Sequence, residues 1–418
     1  MTSESSLLRD ARAVSERWLR ELSVETLTRE RLGELSIDDG AIDIVALGKA
    51  SREMHDAARL VLAGRVARSL VVSDTGHPSS RPQATVLIGE HPVPGAASAA
   101  AGDALTAFLE AGGPDIPTLF LISGGASSLC VKLAPPLGVD DAGELWSAAL
   151  RAGLDITGLN QIRATTSLIG GGAVLRWVRS SRSASLILVD NVTSGARWVA
   201  SALTYEYAPT RAVASELWKL LDVSRALRSK MEAAFEVRSE LMGKPGVAGH
   251  RNAVLGEPAM MLDWALAEAS ECGYRVVDMG AHVAGDVTSA VREWGVAVRA
   301  AGPRSAIVGV GEVTVEIHGD GAGGRCQEFA WRVAQELEGF SRPWTFLARS
   351  SDGRDYVKDV AGAWVNDQTM RRIVEGGVDW GAVARDHNTF PALRDLGQLI
   401  DGSHTGWNLC DIFVAMVG

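Results

Sequence analysis

Cysteine is scarce in this sequence, with four residues in 418. Cys130, Cys272, Cys326 and Cys410 lie far apart and no histidine cluster accompanies them. That excludes a Cys-x-x-Cys zinc site and reads as free buried thiols in a reducing compartment. Long apolar runs are missing too: none reaches 18 residues, so no transmembrane helix is expected. Met1 to Arg20 carries charges throughout and has no apolar signal core, so the expectation is a cytoplasmic protein without membrane contact. Lysine and arginine are outnumbered, 41 against 51 acidic residues, for a net charge of −10. A chain so short of cations is a poor partner for nucleic acid, whose binding depends on neutralised phosphates. It leaves room for a small anion held in a locally basic cleft.

Several nucleotide and hydrolase signatures are also absent. No Gly-x-Gly-x-x-Gly follows the first strand, which argues against a dinucleotide. Gly48-Lys49-Ala50 is no P-loop, because Asp43 stands at the earlier glycine position and Ala50 has no hydroxyl for magnesium. Around Ser123 the nucleophile-elbow pattern fails, since Leu121 replaces its first glycine.

What is present is a globular chain, 46% hydrophobic and long enough for two separate cores. Leu8, Ala11, Val14, Trp18 and Leu22 share one helical face. Short apolar runs at Ile42–Leu47, Leu70–Val72, Thr85–Ile88, Leu119–Ile122 and Ser185–Asp190 alternate with helical stretches. That alternation predicts an α/β fold with two unlike domains. The first, over 1–240, is a doubly wound Rossmann-like domain. The second, over 250–418, is smaller and built on a mixed sheet, with Gly243-Lys244-Pro245-Gly246 as the linker. In it Ala306–Val310 and Val313–Ile317 flank Gly311 and read as a hairpin or a bulged strand.

Four turns carry residues suited to chemistry. After the strand ending at Ile122, Ser123, Gly124, Gly125, Ala126, Ser127 and Ser128 combine backbone freedom with hydroxyls at a helix start, where an anion is favoured. An ordinary strand-to-helix turn is the plain alternative. Lys49 ends the first strand and suits a phosphate or carboxylate, or else faces solvent. Arg325 follows three glycines within Gly321–Gly324, so an anion nest with a bidentate donor and a flexible tip are both open readings. Ser351-Asp352-Gly353-Arg354-Asp355 holds two carboxylates, and could bind magnesium through one or both or be a plain turn.

Seven segments in order resemble the glycerate 2-kinase family, long also called hydroxypyruvate reductase, with its C-terminal MOFRL module. They are Ala46–Ala50, Gly89-Glu90-His91-Pro92-Val93-Pro94, Ile122–Leu129, Gly311-Glu312-Val313-Thr314-Val315, Gly323–Glu328, Ser351-Asp352-Gly353 with Asp359–Ala363, and Thr405-Gly406-Trp407-Asn408 with Asp411. The resemblance implies two α/β domains with the active site in the cleft between them. It also implies transfer of the ATP γ-phosphate to the 2-hydroxyl of D-glycerate with Mg2+. The family's active-site lysine and arginine fall on Lys49 and Arg325, and its phosphate loop on Ser123, Gly124, Gly125, Ser127 and Ser128. Asn160, Arg163 and Glu312 are substrate or phosphate ligands by the same correspondence. Asp190 is a catalytic or magnesium-binding carboxylate and Asp352 a second metal ligand.

This sequence also departs from the family. Ala164, Thr165, Gly170 and Ala173 stand where the family has Lys, His, Lys and Arg. Arg354 and Tyr356 alter the turn after Asp352. The expected activity is therefore an ATP- and Mg2+-dependent kinase for glycerate or a related small hydroxy acid or alcohol, with a changed substrate. The alternatives are a scaffold that has left ATP chemistry for another carboxylate ligand, or a non-catalytic binding protein. A homodimer is left open. Arg325→Ala is expected to cost roughly 10²-fold in turnover while sparing the fold, as a donor on a glycine-rich turn.

Overall fold

A computed structural model describes residues 5–21, 24–35, 40–74, 84–192, 195–403, 405 and 407–418. Leu22 and Gly406, named above, lie outside the described residues. The chain forms two compact units. The first takes Val24–Val189 with Thr193–Gly256, and the second takes the N-terminal segment, Asp190–Val192 and Glu257–Gly418.

The first unit is built on six strands: β1 (Ile42–Leu47), β2 (Val66–Ser73), β3 (Thr85–Ile88), β4 (Thr118–Ile122), β5 (Ser183–Leu188) and β6 (Arg251–Gly256). All pair in parallel, in the order β3-β2-β1-β4-β5-β6. This is the doubly wound arrangement expected, with its reversal of strand order between β1 and β4, where such sheets bind ligands. Both strands are buried along their whole length, which is why they read as unbroken apolar runs. Gly243–Gly246 joins the helix Arg225–Met242 to β6, so it connects elements of this one unit.

The second unit carries a seven-stranded mixed sheet. Its strands are β7 (Arg275–Asp278), β8 (Val283–Asp286), β9 (Ser305–Thr314), β10 (Trp344–Ser350), β11 (Val360–Asn366), β12 (Leu399–Asp401) and β13 (Asp411–Val417). The order is β12-β11-β10-β13-β9-β7, with β8 also on β9; β7 and β8 run parallel to β9 and the other pairs are antiparallel. The hairpin reading at Gly311 gives way to one ten-residue strand, β9. Gly311 is there because β8 passes close by: a Cβ would fall 1.8 Å from the Val283 carbonyl oxygen. The core of this unit centres on Trp294, Phe329, Phe346 and Phe413, stacked edge to face at 4.9–6.1 Å. Each such pair adds about 0.5–1.5 kcal/mol beyond burial.

Helix Ser6–Glu21 belongs to the second unit although it precedes the first in sequence. Its apolar face, Leu8, Ala11, Val14 and Trp18, is buried as its spacing predicts, against helix Pro258–Glu271, β10 and β13. Arg17 bridges to Glu268 and Glu271, and Arg349 to Glu16. Among the described residues, no helix is long and apolar enough to cross a membrane.

Candidate functional site

In the first unit the loops after β1 and β4 are laced together by backbone. Gly48 N–H donates to the Val72 carbonyl, Ser123 N–H to Leu47 and Lys49 N–H to Gly124, at 2.9–3.1 Å. The Ser123 hydroxyl accepts from Ala50 N–H at 3.1 Å and lies 3.4 Å from the Leu47 carbonyl. Ser123 and Gly124 thus fasten two loops. Gly125 takes the left-handed conformation, φ 83°, that starts the short helix Ala126–Leu129. Lys49 lies along it: a Cβ on Gly125 would be 3.1 Å from Lys49 Cγ and 3.3 Å from His91 Cδ2. The Ser128 hydroxyl donates to the Pro92 carbonyl at 2.9 Å. Lys49 has no carboxylate partner among the described residues.

His91 stands in the Gly89–Pro94 segment, where no motif signals a role for it. Its loop is held by Glu90, which accepts from Gly95, Ala97 and Ser98 N–H and from the Ser98 hydroxyl. Those bonds, the Ser98 hydroxyl first, draw the Glu90 carboxyl down to about 2. Burial, and then the charge of Lys49, lowers His91 below its ordinary value against the smaller opposite pull of Asp74, so the ring is neutral at pH 7.

Asn160 and Arg163 lie on helix Ile156–Thr166. Asn160 Nδ2 donates to the Trp198 carbonyl at 3.1 Å, and its Oδ1 accepts from Ser201 Oγ at 3.0 Å. Ser201, in turn, lies 3.0 Å from Ser127 Oγ. Arg163 stacks over Trp146 at 4.2 Å, and burial lowers its pKa to about 10. Ser201 sits within three consecutive left-handed residues, Ala200, Ser201 and Ala202, none of them glycine. Such a run is costly and marks a position over-determined by its surroundings. No sequence signal announces it, because alanine and serine are neutral in composition. The substituted Ala164 and Thr165 face the core instead, with Trp218 Nε1 donating to the Thr165 hydroxyl at 3.1 Å.

In the second unit Arg325 is the first residue of helix Arg325–Glu336. Its Nε and Nη2 donate to the two oxygens of Asp411, at 2.5 and 2.9 Å, and Nη1 lies 2.7 Å from Glu312. Asp411 is fully buried, whereas Glu312 is 40% exposed. Burial opposes the charge on Arg325, but the two carboxylates outweigh it and raise its pKa. The preceding glycine turn is not an open nest: Asp320, Gly321 and Ala322 N–H groups are already taken by Asp386 and Asn388. Asp352 accepts from the Ser350 hydroxyl and Arg354 N–H, at 2.9 and 2.8 Å. A cavity of about 770 Å³ is lined by Glu312, Arg325, Asp352, Arg354, Tyr356 and His387, among others. The Asp190 carbonyl faces Cys410 Sγ at 3.4 Å.

Asp355, a fourth residue from the same turn, caps the Arg325–Glu336 helix from a distance. It accepts from Cys326 and Gln327 N–H and from Gln327 Nε2, at 2.9–3.0 Å. Burial first, and Asp411 second among the raising influences, push its carboxyl up to about 6. The folded state therefore holds this proton more tightly than the unfolded state, whose value is 3.8. Its contribution to stability is full below 3.8 and is lost as pH rises through about 6. Urea midpoints of the wild type and Asp355→Asn should diverge across that window and run parallel above it. Parallel curves throughout would show that Asp355 does not titrate there.

Among the described residues no group of three or more His, Cys, Asp or Glu could enclose a metal ion. Of the two expected metal ligands, Asp352 lines the cavity beside Arg325, and Asp190 meets Cys410 through its carbonyl.

Comparison with known proteins bears on both units. Residues 10–236 match a family model described as a domain of unknown function (DUF4147), and residues 305–411 match the MOFRL family. A candidate hydroxypyruvate reductase of Agrobacterium vitis is 30% identical over 393 residues, covering 91% of this chain and 88% of that relative. The chain belongs to the glycerate kinase/MOFRL superfamily. Within it, the glycerate 2-kinase of Pyrococcus horikoshii is 27% identical over 90% of this chain and 88% of its own length. The D-glycerate 2-kinase of Thermotoga maritima is also 27% identical, over 93% of each. A crystal structure of glycerate kinase from Thermotoga maritima shares the fold at a TM-score of 0.85 and 23% identity, covering 98% of this chain and 99% of that one. The chain is thus a divergent member of the superfamily.

Proposed function

We propose that this glycerate kinase/MOFRL protein transfers the γ-phosphoryl group of ATP to a hydroxyl of glycerate or a related small hydroxy acid, acting in the cytoplasm with Mg2+. The observation that carries the reading is Lys49: a lysine with no carboxylate partner among the described residues, at the strand-order reversal of a doubly wound sheet, laid along a left-handed glycine. Phosphoryl transfer asks mainly for positioning and charge neutralisation. Lys49 supplies the charge and His91, neutral at pH 7, takes the proton as the substrate oxygen bonds to phosphorus and the bond to ADP breaks. Magnesium would neutralise phosphoryl oxygens, with Asp352 and Asp190 the carboxylates to hold it. Glu312, the more exposed partner of Arg325, is the one an anionic ligand would displace.

The test is ADP formation with Mg·ATP over a panel of hydroxy acids. Lys49→Met should lose about 10²-fold in kcat with an unchanged melting temperature. A second reading, action on a carboxylate ligand without ATP, is favoured by the occupation of both edges of Arg325 by carboxylates. Absence of both ADP formation and thermal stabilisation by Mg·ATP would select it.

A further inference from the structure

The turn after β10 presents two side chains to solvent that no contact among the described residues explains. Asp355, Tyr356 and Val357 form a tight γ-turn, closed by Val357 N–H donating to the Asp355 carbonyl at 2.7 Å. Tyr356 takes φ 63° in it, and such positive-φ γ-turns are rare and strained for a bulky residue. The turn is held from both sides. The Asp355 carboxylate caps helix Arg325–Glu336, and Asp355 N–H donates to the Val360 carbonyl at 2.7 Å, where β11 begins. The strained backbone projects the Tyr356 ring outward, 84% exposed, with no ring contact or hydrogen bond among the described residues. Arg354 beside it is exposed and has no carboxylate partner among the described residues. Both line the cavity of about 770 Å³, together with Ile317, itself 68% exposed. A large ring held in solvent by a costly backbone conformation contributes little to folding and points to a ligand contact.

The charge of the lining selects the ligand. Five carboxylates, on Glu312, Asp320, Glu328, Asp352 and Asp355, stand against two guanidinium groups, on Arg325 and Arg354. Arg325 is taken by Glu312 and Asp411, which leaves Arg354 as the cation for a ligand. A bare aromatic acid is repelled by such a lining. An uncharged ring that carries N–H and O–H donors meets acceptors instead, and the Asp320 carboxylate has no donor among the described residues. Taking the kinase reading as its basis, we infer that this cavity receives the nucleoside end of the phosphoryl donor, with the base stacked on Tyr356 and Arg354 pairing with a phosphate. Stacking on an aromatic side chain suits any base, because every base has a π-face. Ile317 adds apolar surface to the same cavity. Arg354 and Tyr356 stand where this chain departs from the family, so the subsite belongs to this chain.

The experiment is calorimetric titration of the intact protein with Mg·ATP and with Mg·tripolyphosphate, which carries the phosphates without base or ribose. Mg·ATP should bind at least tenfold more tightly. Tyr356→Gly should weaken Mg·ATP by about tenfold or more and leave tripolyphosphate unchanged. The same variant should raise the melting temperature by about 2–4 °C, since glycine accepts the positive φ without strain. Tyr356→Phe keeps the ring and should bind Mg·ATP like the wild type. Arg354→Met should weaken both ligands alike, by about tenfold. Equal binding of the two ligands by the wild type, unchanged Mg·ATP affinity or a parallel loss of tripolyphosphate in Tyr356→Gly, or a lowered melting temperature there would each overturn the assignment. So would Tyr356→Phe behaving like Tyr356→Gly, or a loss in Arg354→Met confined to one ligand. The kinase reading fails separately: Mg·ATP bound in the expected way, without ADP formation on any acceptor, refutes it and leaves the ring site standing. An unchanged KM for ATP in a Tyr356→Gly enzyme that still forms ADP does the reverse.

Discussion

Arg325→Ala is expected to destabilise the second unit by about 3–5 kcal/mol, the cost of leaving one member of a buried pair alone. The reason is Asp411, which is 0% exposed and receives two of its hydrogen bonds from Arg325. It also stands at the head of β13, the central strand of the sheet. Arg325→Lys keeps a charge but not the planar fork, and should fall between wild type and alanine. In a urea series, Arg325→Met combined with Asp411→Leu should be less destabilised than Arg325→Ala alone, since nothing charged is then stranded. A near-native urea midpoint for Arg325→Ala would refute the account. The sequence-based expectation of an intact fold gives way because this arginine opens a helix and braces a buried carboxylate, rather than projecting from a loose glycine tip.

The second large effect is expected at Gly48→Ala, again about 3–5 kcal/mol, combining a strained backbone with a steric clash. Gly48 has φ 119°, which residues with side chains rarely adopt. A Cβ there would lie 2.3 Å from Ser123 Oγ and 2.5 Å from the Ser123 carbonyl oxygen. The second neighbour is backbone, tied in turn to β1 through Ser123 N–H. Adding Ser123→Ala should therefore recover little of the lost stability. Recovery of most of it would mean the hydroxyl, not the chain, is the obstacle. Lys49 and Gly124 are joined across the same gap, so the variant should also lose any stabilisation by anions.

The first sheet was legible because buried parallel strands write themselves as short apolar runs between glycines and helices. β1 and β3 coincide with the expected runs, and β4 begins one residue earlier. β6 and β11 do not announce themselves. Arg251 and Asn252 open the first with polar residues, and Gly362 interrupts the second only because the Ala348 carbonyl passes where its Cβ would stand. At the site, Lys49, Gly125 and Arg163 were readable as residue types at turns and along a family-like helix. Ser201 and His91 were not, and Asp355, readable as a metal-suited carboxylate, instead caps a helix, since their roles come from partners distant in sequence: Ser127 and Asn160, the Lys49 turn, and the start of the Arg325 helix. Pattern within a window cannot express such pairings.

Helix Ser6–Glu21 leaves the ribosome well over two hundred residues before Pro258–Glu271 and β13, the elements that cover its apolar face. Throughout that interval Leu8, Val14 and Trp18 have no resting place, while Val24–Gly256 can assemble its own parallel sheet. The protein is in effect one module nested inside another, so nascent chains of intermediate length should call on chaperones at this helix. A recombinant fragment of residues 257–418 should aggregate through the vacated groove, and supplying residues 5–21 as a separate peptide should rescue its solubility.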